Sequence, residues 1–518
     1  MSLPIYYYGA IWEIRTTGSD DNGGAFYPLV AGGTGIDYSQ QDAPQLTLTD
    51  VAYAAGDNAL PFTLTSITGG FTPDMLGNTI GLLTSGNYYG GHYVIISVVD
   101  ANTIQVAGTA MTIGGACTSG TINVGGCLAH PGVAFGNSYS PLPYVLTTPV
   151  VNHGSSGYND TFYIKSGTYI ESPFIINGGP AGGWNIIGYT LTRNDGAPTR
   201  PIIEAWSGYG TPSISFIDEQ GVQDSFENII FNANNYQNIT LNQENTKNSF
   251  TNCDFINGIY SCANLHGGQY VNCNFNNSGS GGIAWSGNPG AFDFVTTGVC
   301  INSWGTNFLN CNIFDNQGPG IYVNAGGIGG YNFTGVIIDH NQGPGIFQDS
   351  GNGAQYGNIQ NCVIDHNGYD GILANLDSSS ITTGYILDTF TMTNTIISNN
   401  GAYGINSRDV DYSGPNMLYF SEKVSTCAFY NNTSGNLNRV ASPVNMITLS
   451  ADPFIDSSSG DYALNNISGG GELCRNLSYT YFISGYTTTD VYVGAITPNH
   501  PTGGGGGLFT NNMNGGMI

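Results

Sequence analysis

Two Asp-His-Asn triplets, Asp339-His340-Asn341 and Asp365-His366-Asn367, stand in matching places of a repeated pattern. A pair of carboxylates with an imidazole beside each could serve acid–base chemistry, in which one group gives a proton while another takes it. If the triplets occupy adjacent rungs of a stacked structure, the carboxylates lie about 5 Å apart; two rungs apart, they lie about 9–10 Å apart. Those separations bracket the retaining and inverting geometries of glycoside hydrolysis. Stacked like charges would also raise one carboxyl pKa, as a general acid needs. A simpler reading needs no chemistry. Asp-His-Asn is a polar outward turn leading into glycine, and it recurs because the rung recurs. Asp315, one repeat earlier, falls in the histidine column.

Other chemistry is sparse. Acidic clusters at Asp20-Asp21-Asn22 and Asp409-Val410-Asp411 offer hard oxygen ligands for Ca²⁺, but no EF-hand or nonapeptide calcium repeat is present. No other cofactor or metal site is expected: the ten cysteines include no C-x-x-C pair and no Cys/His group at zinc spacing. Sequons such as Asn159-Asp160-Thr161, Asn238-Ile239-Thr240 and Asn332-Phe333-Thr334 occur about as often as this Asn/Thr-rich composition produces by chance.

Whatever these residues do, a repeat positions them. Anchored on Asn228, Asn252, Asn272, Asn310, Gly335, Asn361, Asn394 and Thr426, the segments fall in register at intervals of 20 to 38 residues. One residue on stands a column containing Cys253, Cys273, Cys311, Cys362 and Cys427; three residues on stands Phe231, Phe255, Phe275, Ile313, Ile338, Ile364, Ile397 and Phe429. Their separation of two is strand alternation, so both columns point inward. Six residues on, Asn316, Asn341, Asn367, Asn400 and Asn432 form a ladder, assigned to a turn where Asn tolerates left-handed backbone and its amides can bond between rungs. Gly320-Ile321, Gly345-Ile346, Gly371-Ile372 and Gly404-Ile405 close the pattern. Stacked like residues are what a parallel solenoid requires. The cysteine column is read as a small-hydrophobe stack, with Cys117–Cys127 as the one candidate disulfide.

The expected fold is therefore all-β: a right-handed parallel β-helix with a small antiparallel β module inserted near the N-terminus. Residues 1–40 form the N-terminal strand and cap, and 41–131 the inserted barrel- or sandwich-like module, with strands at Leu60–Thr65, Thr79–Leu83, His92–Val99 and Thr103–Val106. Residues 132–500 form the helix, ending in rungs at Asp452-Pro453-Phe454, Gly460–Leu464 and Val491–Ile496, and 501–518 a flexible Gly/Asn tail.

Composition narrows the partners. Net charge is −26, with nine Lys plus Arg in 518 residues, which excludes nucleic-acid binding and disfavours anionic membranes and polyanionic substrates. No run reaches transmembrane length, and Met1-Ser2-Leu3-Pro4 opens no signal peptide. Assembly in the cytoplasm and release by lysis, as part of a virion or other extracellular particle surface, is the expected localisation. Tyr6-Tyr7-Tyr8 and Tyr88-Tyr89 could stack on sugars or pack at a subunit interface.

Trp12–Asp20, the rung Tyr163-Ile164-Lys165-Ser166-Gly167-Thr168-Tyr169, the Asn-Cys-x-Ile repeats, and the closing Asp452-Pro453-Phe454 and Val493-Gly494-Ala495 segments resemble pectate-lyase-like β-helix proteins, in particular those encoded by tailed phages. The resemblance implies the fold and, for phage members, a homotrimer. Lyases of this group use an Arg or Lys base, yet Lys247 is the one cation between residues 201 and 407; the group's polygalacturonase pattern is also missing, Leu265-His266-Gly267-Gly268 being a faint echo. The expectation is thus a structural or receptor-binding virion protein (fibre, decoration protein or tailspike), engaging itself, other virion or surface proteins, or host polysaccharide, without confident catalytic residues. The alternatives are a glycosidase of neutral polysaccharide using Asp339, Asp365, His340 and His366, or a cell-surface fibril protein.

Overall fold

The structure is a computed structural model that describes residues 9–476 except 54–61, 84–90, 108–116, 132–159, 172–173, 178–182, 206–213, 218–223, 236–238, 260, 280–296, 302–304, 325–328, 350–354, 376–388, 409–422 and 441–442. The Tyr6 and Tyr88 tracts, Asp409-Val410-Asp411, the Val491–Ile496 rung and the tail 501–518 lie outside the described residues.

Each turn of the right-handed β-helix contributes one strand to each of three parallel stacks. One complete rung runs Gln355–Gln360, Val363–Asp365, Ile372–Asn375. The second stack is an eleven-stranded sheet reaching from Thr168–Glu171 to Ile447–Thr448. Through it the aromatic and aliphatic column pairs residue for residue: Phe231 with Phe255, Phe275, Ile313, Ile338, Ile364, Ile397 and Phe429 in succession. All eight are buried, and rings stack where rungs repeat them, as Phe255 on Phe275 with centroids 4.9 Å apart. The five stacked cysteines are fully buried thiols. Cys117 and Cys127 also remain unpaired, because the extended strand Cys117–Val124 carries the chain away from the first before it reaches the second.

The asparagine ladder follows the second-stack strands, at the turn, and is buried. Asn316, Asn341, Asn367 and Asn400 each donate Nδ2 to the Oδ1 of the next, at 2.8, 3.0, 3.1 and 2.9 Å, ending on Asn432. Left-handed backbone falls on the neighbouring columns instead: on Asn252, Asn272, Asn310, Asn361 and Asn394 before the second-stack strands, and on Asp315, His340, His366, Asn399 and Asn431 after them. The ladder is therefore explained by amide bonding alone. The paired glycines answer to space: a Cβ on Gly345 would stand 2.7 Å from the carbonyl oxygen of Gly371.

The strand Ile11–Ile14 pairs in parallel with Thr161–Lys165 and is the first rung among the described residues. Between them a six-stranded antiparallel barrel closes in the order Leu46–Tyr53, Phe62–Thr65, Thr103–Ala107, Gly91–Asp100, Thr79–Leu83, Cys117–Val124. It has its own core, including Leu48, Leu64, Ile80, Ile95, Ile104 and Ile122. At the junction, Glu13 is fully buried and held by Arg15 (2.9 Å), Arg193 (2.7 Å) and the Tyr189 hydroxyl. Arg193 continues to Asp37 at 2.9 Å.

Residues 452–476 depart from expectation. Phe454–Asp456 and Asp461–Leu464 do not add rungs; they pair antiparallel with each other. With the short helix Gly471–Asn476 they fold back onto the outer face of the second stack, where Phe454, Tyr462, Leu449 and Cys474 bury Ile337, Val363, Ile396 and Ala428. An outward apolar column on consecutive rungs needs such a cover.

Candidate functional site

The register places Asp339 directly opposite Asp365 on adjacent rungs, the closer of the two spacings anticipated. Both side chains leave the second stack on its outer face, and both are buried. His340 and His366 follow in left-handed backbone conformation and stack in parallel, ring centroids 5.0 Å apart. Each imidazole bonds through Nδ1 to its own neighbour: His340 to Asp339 Oδ2 at 2.9 Å, and His366 to Asp365 Oδ2. Asp365 Oδ1 accepts from Ser398 Oγ (2.5 Å) and Asn399 Nδ2 (3.0 Å) on the next rung.

The cover over the pair is Tyr462, from the folded-back hairpin. Its hydroxyl donates to Asp339 Oδ2 at 2.7 Å and lies 3.5 Å from Asp365 Oδ2. Asp339 Oδ1 is buried with no hydrogen-bond partner. Burial pushes the Asp365 carboxyl above its ordinary range, against the pull of His366. Hydrogen bonds to their aspartates raise both imidazoles, partly offset by desolvation. Burial beside the carboxylates drives the Tyr462 hydroxyl far up, so it stays a donor.

The structure thus brings all four candidate residues together, but beneath a lid. The imidazole edges remain half exposed, whereas the carboxylates do not meet solvent. A proton can be held or passed within this cluster; a glycosidic bond cannot reach Asp365 while the hairpin is in place. Sequence reasoning missed Tyr462, which lies 123 residues from Asp339 along the chain. One signal did point to it. Ile337, Val363 and Ile396 alternate with the aspartate column, and an apolar column sharing a face with carboxylates implies that something covers both.

Elsewhere the acidic candidate Asp20 is already engaged. It accepts from the backbone of Ala129 and His130 and bonds His130 Nδ1 at 2.6 Å, while Asn22 donates to carbonyls of Asp42 and Cys127. Among the described residues no group of three His, Cys, Asp or Glu side chains is placed to hold a metal ion. The side chain of His266 lies outside those described. No described helix is long and apolar enough to cross a membrane.

No family profile and no curated protein matches the chain. Among solved structures it is similar to pectate lyase Pel9A, with 13% identity over 68% of this chain and 92% of that one and a TM-score of 0.40. It is similar to ORF18 of Geobacillus virus E2, with 13% identity over 58% of this chain and a TM-score of 0.38; the chain spans 55% of that protein's length. The catalytic domain of a GH87 alpha-1,3-glucanase in complex with nigerose gives 12% identity, 78% and 89% coverage, and a TM-score of 0.26. At such identities and TM-scores none of these proteins' activities is carried over to this chain.

Proposed function

We propose that this chain is a structural, binding-type β-helix of a virion or other extracellular particle, a fibre, decoration or receptor-binding element that holds its partners without turning over glycan. The observation that carries the reading is the closure of Asp339 and Asp365 beneath Tyr462. A glycosidase keeps its carboxylates open to the sugar on both sides of the scissile bond; here they anchor the chain's own hairpin. The scarcity of cations agrees with partners that are neutral glycans, other particle proteins or further copies of this chain, assembled as a homotrimer. The raised pKa of Asp365 is what favours a second reading, a glycosidase acting on neutral polysaccharide.

Two measurements separate them. Incubation with a panel of neutral polysaccharides at mildly acid, neutral and mildly alkaline pH should release no reducing ends, and light scattering should give three times the 54.5 kDa chain mass. Sugar release that disappears in Asp339→Asn/Asp365→Asn would establish the hydrolase instead. A stable monomer would remove the trimeric fibre.

A further inference from the structure

The hairpin and helix of residues 452–474 rest on an apolar strip with a charged centre. Around that centre, Ile337, Val363, Ile396 and Ala428 meet Phe454, Leu449 and Cys474. At the centre, two carboxylates on adjacent rungs lie buried together; among the described residues their partners besides the two imidazoles are the neutral donors Tyr462, Ser398 and Asn399. Buried like charges at rung spacing repel strongly unless cations compensate them. The stacked histidines can supply that compensation, and histidine changes charge between mildly acid and mildly alkaline pH.

We propose that residues 452–474 form a proton-dependent strap: imidazolium at His340 and His366 lets the Asp339–Asp365 pair stay buried beneath Tyr462, and loss of those protons as pH rises frees the strap and uncovers the Ile337–Val363–Ile396–Ala428 strip. The surroundings favour this. Asp452 of the strap favours the charged form of His366, and Asp315 of the preceding rung that of His340; the two stacked imidazoles, 5.0 Å apart, oppose each other's charge, and the aspartate each one bonds outweighs that repulsion. Asp456 and Asp461 are turned to their own turn, accepting from Ser458 and from the Ala463 backbone, and Glu472 is exposed. The raised folded-state pKa values of His340, His366 and Asp365 act in one direction. In each case the folded, strapped state binds protons more readily, so its advantage is present at low pH and is lost as pH rises through the folded values.

The inference does not depend on whether the chain acts on glycans, and its test reads no sugar release. Amide hydrogen exchange of the full chain, expressed as protection factors corrected for intrinsic rate, is followed across the histidine range. Protection of Phe454–Leu464 should fall with rising pH, by about tenfold for each pKa unit the folded state adds to an imidazole, while the strand Thr389–Thr393, on another stack, stays constant. Labelling of Cys474, buried on the strap's inner face, should rise in parallel relative to Cys117. In Asp339→Asn/Asp365→Asn no buried carboxylate charge is left for the imidazoles to offset, and the fall in protection with rising pH should disappear. In His340→Gln/His366→Gln the fall should move down into the carboxylate range. Protection that is flat with pH in the wild type overturns the proposal. So does a fall that is unchanged in either variant, and if one variant does not fold, the wild-type series and the other decide.

Discussion

An amide and a carboxylate stacked on the same rungs have opposite consequences, and the side of the strand decides which. The inward asparagines satisfy one another: Asn400 donates to Asn432 and to the Ile364 carbonyl while accepting from the backbone and side chain of Asn367. Asn400→Ala removes all four bonds in a buried site, and leaving such groups unpaired costs about 1–3 kcal/mol, to be read as a lower urea midpoint with faster exchange on the flanking rungs. The outward aspartates cannot satisfy one another, since both only accept when ionised. Stability should consequently peak at mildly acid pH. Burial lifts Asp160 to about 6, and His340, His366 and Asp365 are also raised; each of these contributions is lost as pH climbs through its folded value. On the acid side Asp195, bonded by four backbone amides, sits at about 2, so its contribution is present above the ordinary carboxylate range and is lost as pH falls. A thermal midpoint that rises steadily from pH 5 to pH 8, the range of histidine titration, would contradict this sign.

At the scale of elements, what the sequence made legible is what repeats. Every inward column of the second stack was readable because parallel pairing puts like residues on like, so Phe255 on Phe275 and Cys273 on Cys311 announce their register. Four of the barrel's six strands were readable through alternation; Leu46–Tyr53 and Cys117–Val124, which pair with each other through a shifted register, were not. Single-copy contacts were not readable. Glu13 meets Arg193 across 180 residues and Tyr462 meets Asp339 across 123; neither recurs, so no period betrays them. The same distinction misassigned the 452–464 segment, whose Asp-Pro-Phe opening reads as another rung until the apolar column outside the second stack is given a partner. The Glu13 contact has a measurable consequence: Glu13→Gln removes the charge that two part-buried arginines share. Breaking a buried pair of this kind costs about 3–5 kcal/mol, so exchange should quicken in Ile11–Ile14 and Thr161–Lys165 while the distant rung Thr389–Thr393 is unaffected.

For the whole molecule, that locality is the rule. A solenoid's rungs touch only their neighbours, so its stability is close to a sum of rung and interface terms, and its exposed ends and faces set its behaviour in solution. The N-terminal end is closed by the strand Ile11–Ile14 and the barrel junction; the outer face near the C-terminal end is closed by the strap. Phe454 is the strap's apolar anchor, buried and edge-on to Tyr462 with ring centroids 5.0 Å apart. Phe454→Ala forfeits about 3–5 kcal/mol of packing, more than a two-stranded hairpin can supply from its own pairing. The strap should therefore detach while the inner columns, which do not touch it, keep the helix folded. Circular dichroism should then retain its β signature, and light scattering should show mass growing with protein concentration as the Ile337–Ala428 strip finds partners on other copies. An unchanged mass with an unchanged melting curve would mean that the strip is not what the hairpin protects. Loss of the β signature along with the strap would mean that the C-terminal cover holds the solenoid together, making the molecule one cooperative body and not a stack of near-independent rungs.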